Sequence, residues 1–552
     1  MGMTRSQYLL REQRTPVEPR AAATVLLLRD GAEGMQVLMT RRSEKASFAP
    51  GAYVFPGGGV DATDGTAAGR FRPTQTADLR QSAMAAIRES FEELGVLIAY
   101  RADGSWADQS DIEALDRSGP FFEQCAALGL VPAADQVFTL AHWITDRDMP
   151  KRLDVPFLAA PMPPNQQPIA DEAEQFEPVW VTPRQALEAH KAGNFFMIFP
   201  TIRTLEVMAR YATVADAVAA CQSEHPAFVS CPRGGLLNGR EERFMEHDTA
   251  FGELAFVAPD GALFHDLTWR HHEPVPLRHH IHRLTAPNAG MMTGPGTNTY
   301  ILGEPATGYA VIDAGPDDTE HLDRLMAFTG GDIRWLVCTH SHPDHSPGAI
   351  ALQKRLQAQG HRVALYGLPS GPHALPNSHF VPDSPVTHGQ RLQLQGTDAT
   401  GADITHTLRC LFTPGHAANH VCLLLEEDAV LFSGDHILNG STTVINPPDG
   451  HMDEYLHALD LLADECEQHG VNFILPAHGY VLGEAPAVIA HLKRHRLARE
   501  AKVLAAMRAH PNGNDDDWVA HAYADTPQGL WPVAKRSMQA HIERIRALNL
   551  LG

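Results

Sequence analysis

The stretch Thr339-His340-Ser341-His342-Pro343-Asp344-His345 constrains this chain more than any other. Three histidines and an aspartate fall within six residues. A mostly apolar run of strand length, 333–338, precedes them, and Pro347-Gly348 opens an apolar stretch of helical spacing after them. The cluster is therefore expected on a loop at the C-terminal end of a strand, where open α/β sheets place their sites. Imidazole and carboxylate together suit zinc and related first-row metals. The bland alternative is four polar residues exposed on a turn. Three downstream stretches argue against it. The apolar runs 408–412, 429–432 and 473–475 end in Thr413-Pro414-Gly415-His416, Ser433-Gly434-Asp435 and Pro476-Ala477-His478-Gly479. An isolated histidine after a strand needs no explanation. Four strand ends that each carry a ligand-type residue are hard to explain without a metal.

These residues resemble the metallo-β-lactamase-fold hydrolases, whose pattern is HxHxDH followed by a His, an Asp and a final His. The resemblance covers roughly 278–500 and leaves no ligand missing. It implies an αββα sandwich with two metals, zinc or else manganese or iron. It implies His340, His342 and His416 on one metal, Asp344, His345 and His478 on the other, and Asp435 bridging them. Two neighbouring cations lower the pKa of a shared water and polarise the scissile bond. Asp344 is the catalytic residue expected to orient the resulting nucleophile. Finer features resemble the lactamase-like subgroup that includes a mitochondrial endoribonuclease. They are Gly296-Thr297-Asn298-Thr299-Tyr300, His420, Ser441-Thr442-Thr443-Val444 and Pro447-Pro448-Asp449-Gly450. Each is also compatible with ordinary turn chemistry.

A chain of 552 residues exceeds a single core, so two or more domains are expected. A net charge of −22 argues against nucleic-acid affinity spread over the whole surface, though not against a local basic patch. Seven scattered cysteines without a C-x-x-C pair fit a reduced compartment. Segment 1–20 is rich in Arg but lacks the apolar core of a secretory signal. No apolar run reaches membrane-spanning length. The expectation is a cytoplasmic protein with no membrane partner.

Residues 1–20 read as an arm, disordered or lightly docked. Apolar runs 21–28 and 36–42 flank a turn at 30–34, and 51–61 reads as a short strand ending in a glycine turn. Residues up to about 79 read as a polar insertion. From 81 to 95 the spacing predicts a helix, with Ala83, Ala86, Ile87 and Leu94 as apolar positions. Glu89, Glu92 and Glu93 stand at i, i+3 and i+4 and share a face. Like charges so placed repel, and oxygen ligands suit magnesium or manganese. A solvated acidic face is the other reading. The glycine turn upstream and Gly95-Val96 downstream favour the metal.

Arg88-Glu89-Ser90-Phe91-Glu92-Glu93-Leu94-Gly95-Val96 resembles the Nudix hydrolase box, REUxEExGU. The resemblance implies an α/β/α sandwich. It implies magnesium or manganese on Glu89, Glu92 and Glu93, and catalytic roles for Arg88, Glu92 and Glu93. Two departures stand out. An insertion separates Gly59 from Arg88, and Arg80 occupies the position of the first box Glu. The three glutamates then act alone, or Asp61 or Asp64 folds back from the insertion to supply the absent acid. Arg41-Arg42-Ser43, Phe55-Pro56-Gly57-Gly58 and runs between 141 and 187 resemble the subgroup that cleaves coenzyme A and acyl-CoA diphosphates. That resemblance spans 21–207. Glu172 or Glu174 offers a distal ligand or base, against a plain loop acid.

Segment 223–275 is punctuated by Pro, Gly and His, and alternation over 254–267 suggests a hairpin or two. His271-His272 and His279-His280 are expected on the surface. After His478 the pattern turns helical, with ten Lys and Arg against six Asp and Glu over 491–552. Three short helices there resemble the winged-helix-like tail of the ribonuclease-like subgroup, and the alternative is a lid over the site. The expected organisation is α+β: an arm (1–20), a Nudix domain (21–222), a connecting segment (223–275), a metallo-β-lactamase domain (276–490) and a helical tail (491–552).

The expected function is that of a bifunctional metal-dependent hydrolase acting on a small molecule, such as an acyl-CoA or nucleotide derivative. One domain would cleave a diphosphate, the other an ester, thioester or phosphodiester. The rivals are RNA processing with the tail as binding module, and a hydrolase carrying a non-catalytic Nudix binding module.

Overall fold

The computed structural model describes residues 8–46, 49–173 and 175–551. These form two compact units. The first is Pro16–Pro232, and the second joins the described part of Met1–Thr15 to that of Arg233–Gly552. The segment expected to connect two domains is thus divided between them at Pro232 and Arg233.

In the first unit, strand Arg20–Gly31 runs parallel to Leu153–Pro161 and antiparallel to Gly34–Arg42. Strand Phe138–Ile144 extends this sheet on one side, and Gln175–Val181 pairs with Gly34–Arg42 on the other. Alternate residues of a strand face opposite sides. Ala23, Val25 and Leu27 accordingly meet Ala83, Met84, Ile87 and Phe91 of helix Ala77–Leu94. Helix Val214–Cys221 packs against the same strands outside that cluster. The glycine stretch read as a turn is itself a short strand, Gly57–Gly59, paired with residues 22–24. The box helix also begins earlier than its apolar spacing predicts. Thr76 caps it by accepting from Leu79 N–H, and Gly95, at φ 63°, ends it. Arg152 gathers both ends of this unit: Nη1 donates to Val17 O at 2.8 Å and Nη2 to Cys231 Sγ at 3.9 Å.

The second unit holds two large sheets besides a two-stranded hairpin. Seven strands from Val275–Arg278 to Ser384–Pro385 form one, and five from Arg391–Thr397 to Phe473–Pro476 form the other. Leu302, Ile312, Leu408, Leu423 and Phe432 meet between the sheets. Their strand neighbours point outward. Ile301, Val311 and Leu336 pack on Leu322, Leu325 and Leu352 of helices Thr319–Thr329 and Pro347–Ala358. Leu411, Leu424 and Leu431 pack on Leu456, Leu459 and Leu462 of helix Met452–His469. The layers are therefore α, β, β, α. Each fully buried leucine contributes about 2 kcal/mol. A one-residue slip would exchange the two faces of a strand, so the register is firmly set.

The arm docks on this unit: Tyr8 and Leu9 are buried, and the Tyr8 ring lies 4.2 Å from that of His280. His280 is buried and bonded to Asp428 at 2.9 Å, which corrects the surface reading. His279 and His272 are exposed. The hairpin expected over 254–267 is absent, and helix Phe251–Val257 occupies that region. Its Glu253 is buried on Arg283 and His265, a pairing that periodicity cannot reveal. The hairpin lies upstream, in Arg233–Leu237 and Arg240–Phe244, around Asn238-Gly239, both at positive φ.

The tail comprises helices Ala485–Ala509, Asp515–Ala522 and Trp531–Ala547, joined by a core that includes Val503, Trp518, Met538 and Ile542. No strand accompanies them among the described residues. Among the described residues, no helix is long and apolar enough to cross a membrane. All seven cysteines are free thiols.

Candidate functional site

Strands Ile333–Val337, Asp403–Phe412, Val430–Gly434 and Phe473–Pro476 each end where the sequence places a ligand-type residue. One atom each of His340, His342, His416 and Asp435 falls within 4.8 Å of the others. Asp344, His345 and His478 form a second such group. His342 Nδ1 lies 2.9 Å from His340 Nε2 and 3.0 Å from His416 Nε2. Asp435 stands between the groups, Oδ2 3.5 Å from His416 Nε2 and Oδ1 3.3 Å from His478 Nε2. Asp344 Oδ2 lies 3.3 Å from both His345 Nε2 and His478 Nε2.

Four of these rings are fixed from behind. The Nδ1 of His340 bonds Thr339 Oγ1 at 3.0 Å, that of His345 bonds Asp313 Oδ2 at 3.0 Å, that of His416 donates to Val444 O at 2.8 Å, and that of His478 donates to Gly296 O at 3.1 Å. Such outer partners fix the tautomer and aim the inner nitrogen. His342 is turned the other way, with Nε2 3.6 Å from Asp449 Oδ2. Asp435 is held through its backbone, whose N–H donates to His420 Nε2 at 3.2 Å. Gly434 makes that approach possible: at φ 50°, a Cβ there would lie 2.7 Å from His420 Nε2.

Burial pushes His340 well below its usual range and takes His416 down to about 4. Both rings are neutral and able to donate a lone pair. Burial opposes charge on Asp435 too, but His478 and His345 outweigh it and hold the carboxylate well below its usual range. Burial likewise works against a charged His478, but Asp435 and Asp344 bring it up to about 10. A cation between these groups would take the place of such protons. The donor set fits a pair of divalent metals. His345 Nε2 and Asp435 Oδ1 are buried without a hydrogen-bond partner and face that shared space.

The sequence reading missed Asp313, which accepts from Thr339 N–H at 2.8 Å and Thr339 Oγ1 at 2.7 Å besides bonding His345. Its signal was present: the strand Gly308–Ile312 ends in Asp, as Val430–Gly434 does. The entry motif joins the site as well. Thr297 Oγ1 donates to Asp344 Oδ2 at 3.3 Å, and Asn298 Nδ2 donates to Pro476 O and Gly479 O around His478.

In the first unit, the glutamates separate. Arg88 Nη1 donates to Glu89 Oε1 at 2.8 Å and Glu92 Oε2 at 2.9 Å. Glu93 turns away and is buried, accepting from Gly57 N–H and Gln175 Nε2, each at 3.0 Å. Among the described residues the three carboxylates form no converging group. Asp64, from the insertion, is buried against Arg88, and Asp61 is exposed. Burial pushes Glu89 and Glu92 upward in pKa while Arg88 works against it. Gly58 lets Glu89 close in, since a Cβ there would meet its carboxylate at 2.4 Å. Glu172 is exposed, and Glu174 lies outside the described residues.

The family description Metallo-beta-lactamase superfamily matches residues 292–466, and NUDIX domain matches 18–198. Over 274 residues the chain is 30% identical to the beta-lactamase-like protein 2 homolog of Drosophila melanogaster, an overlap of 48% of this chain and 86% of that protein. Over 277 residues it is 31% identical to the atrochrysone carboxyl ACP thioesterase of Aspergillus chevalieri, an overlap of 49% and 80%. Among solved structures, a NUDIX hydrolase from Alicyclobacillus acidocaldarius is 27% identical, with overlap of 37% of this chain and 96% of that one and a TM-score of 0.34. The chain therefore belongs to the metallo-beta-lactamase superfamily, and ahead of its lactamase-type region residues 18–198 match the NUDIX domain.

Proposed function

We propose that the lactamase-type unit hydrolyses a thioester or related ester with two divalent metals. His340, His342 and His416 would hold one, Asp344, His345 and His478 the other, and Asp435 both. The observation that carries this reading is the convergence of five imidazoles on two adjacent points with Asp435 between them. Imidazole-rich sites with carboxylate suit zinc, and also iron or manganese. When bound, such a pair supplies Lewis acidity and a nucleophile drawn from water near neutral pH. Asp344 would orient that water and hold its proton, with Thr297 steadying its Oδ2. The relative named as an ACP thioesterase supports the thioester class.

For the NUDIX unit we infer a diphosphatase. Glu89 and Glu92 would take magnesium or manganese, Arg88 would hold the two carboxylates together and oriented, and Glu93 would brace the glycine strand. A magnesium held by few carboxylates relies on substrate phosphates for further ligands. An acyl-CoA would offer a diphosphate to one unit and a thioester to the other. The free thiols suit a cytoplasmic setting. RNA is the second substrate reading, and the net charge of −22 counts against it.

The test is a screen of full-length protein against acyl-CoAs, nucleoside diphosphate derivatives and single-stranded RNA, with zinc and with magnesium or manganese. Expected is thioester cleavage that Asp435→Ala abolishes together with bound transition metal, while diphosphate cleavage persists. Salt-sensitive RNA cleavage without thioesterase activity would replace this reading with the ribonuclease one. Diphosphate binding without turnover would make the NUDIX unit a binding module.

A further inference from the structure

We infer that Arg496 and Ser537, on two helices of the C-terminal tail, are positioning residues for His416, acting through the three-residue segment 443–445. The inference rests on the metal-centre reading above. Val444 O accepts the Nδ1–H of His416 at 2.8 Å, so the place of this carbonyl decides where the inner nitrogen points. Residues 443–446 lie outside any helix or strand, and no ladder of backbone bonds fixes them. The tail fixes them instead. Ile445 N–H donates to Ser537 Oγ at 3.2 Å, and Arg496 Nη2 donates to Thr443 O. Val444 is therefore gripped on both sides by side chains that are 4% and 7% exposed.

The same segment reaches Asp435, because Thr443 Oγ1 donates to Asp435 O at 2.8 Å. Arg496 also stands over the Tyr455 ring, 5.2 Å from its centroid, and the Tyr455 hydroxyl donates to His436 O at 2.9 Å. One guanidinium thus braces the turn after Asp435 from two directions. Two further arginines of the tail make ion pairs, Arg499 with Asp525 and Arg544 with Asp453.

The experiment uses the full-length chain with Ser537→Ala, Ser537→Thr and Arg496→Lys, and Lys502→Ala as a control elsewhere on the tail. Zinc affinity is read by chelator competition and the ligand geometry by the cobalt(II) spectrum. Amide exchange of the peptide around Ile445 is read in chelator-treated protein. Expected for Ser537→Ala and Arg496→Lys is faster exchange near Ile445 and about tenfold weaker binding of one metal, with the second weakened less, through Asp435 alone. Ser537→Thr should restore both and Lys502→Ala alter neither. Faster exchange with unaltered metal affinity would overturn the inference, as would equal weakening of both metals. A wild-type chain that takes up no metal would refute the metal-centre reading first, before any substitution is made, and so is told apart.

Discussion

Arg88 and Asp64 meet through two parallel hydrogen bonds, Nε to Oδ1 at 3.0 Å and Nη2 to Oδ2 at 3.1 Å, with Asp64 only 2% exposed. The insertion after the glycine strand thus supplies the carboxylate that holds Arg88, and Arg88 in turn holds Glu89 and Glu92.

Removing that carboxylate leaves a buried guanidinium without its main partner. Such a loss costs about 3–5 kcal/mol when the pair is fully buried. Asp64→Ala is expected to lower magnesium-dependent cleavage of coenzyme A at least about tenfold, by letting Arg88 collapse onto the two glutamates. Asp61→Ala, at an exposed position, should leave the rate unchanged. Calorimetry should find magnesium weak alone and tighter beside a non-hydrolysable diphosphate. Tight magnesium binding without diphosphate, lost in Asp64→Ala, would make Asp64 a ligand rather than a partner of Arg88.

Asp313 tests the lactamase-type centre from behind. It touches His345 but no atom of the His340, His342 and His416 group except through Thr339. Asp313→Asn keeps the shape and removes the charge. Outer partners of metal-bound histidines are worth about 10–100-fold in affinity. One zinc equivalent should therefore be released at a lower chelator concentration than the other. Loss of both together would mean that the two groups are not separable sites.

Glu253 gives a pH signature in the same unit, away from the ligands. Burial opposes its charge, but Arg283 and His265 hold the carboxylate down to about 2 from an ordinary 4.5. A depressed carboxylate contributes stability that is present above the unfolded value and is lost as pH falls through the folded one. The contribution of about 3 kcal/mol should thus be complete above pH 4.5 and vanish toward pH 2. Urea unfolding of wild type and Glu253→Gln should show a large gap at pH 7 that closes as the pH drops through this window. A gap that stays constant from pH 7 to pH 2 would show that packing rather than charge carries it.

The seven ligand-type residues were legible because each follows directly on a strand whose apolar run is local and regular. The layers were not legible in this way: strands such as Val421–Leu425 and Val430–Gly434 are buried at every position and show no alternation, so the αββα order was implied by the resemblance alone. What escaped depends on partners far along the chain. His280 looked like a surface residue until Asp428, 148 positions on, came to meet it. Helix Phe251–Val257 overlaps the start of the stretch read as a hairpin, and it is anchored by Glu253 on Arg283, 30 positions away. Asp64 read as part of a polar insertion, and only the folded turn Ala62–Gly65 brings it under Arg88. Asn238-Gly239 was a readable hairpin signal that the punctuation around it obscured.

The hold of Arg152 on Val17 and Cys231 bears on how such a two-part chain assembles. The lactamase-type unit is interrupted: Tyr8 must find Glu304, 296 residues later, with the whole NUDIX unit between them. An unstructured spacer of that size would be entropically costly to close, by about 0.6 kcal/mol for each doubling of length. Once the NUDIX unit has folded, its entry and exit are one side chain apart, and the spacer behaves as a short loop. The inserted unit is then a cassette. Residues 18–230 exchanged for a brief Gly/Ser bridge should leave the arm able to reach its bed beside His280, and the metal centre buildable without its passenger.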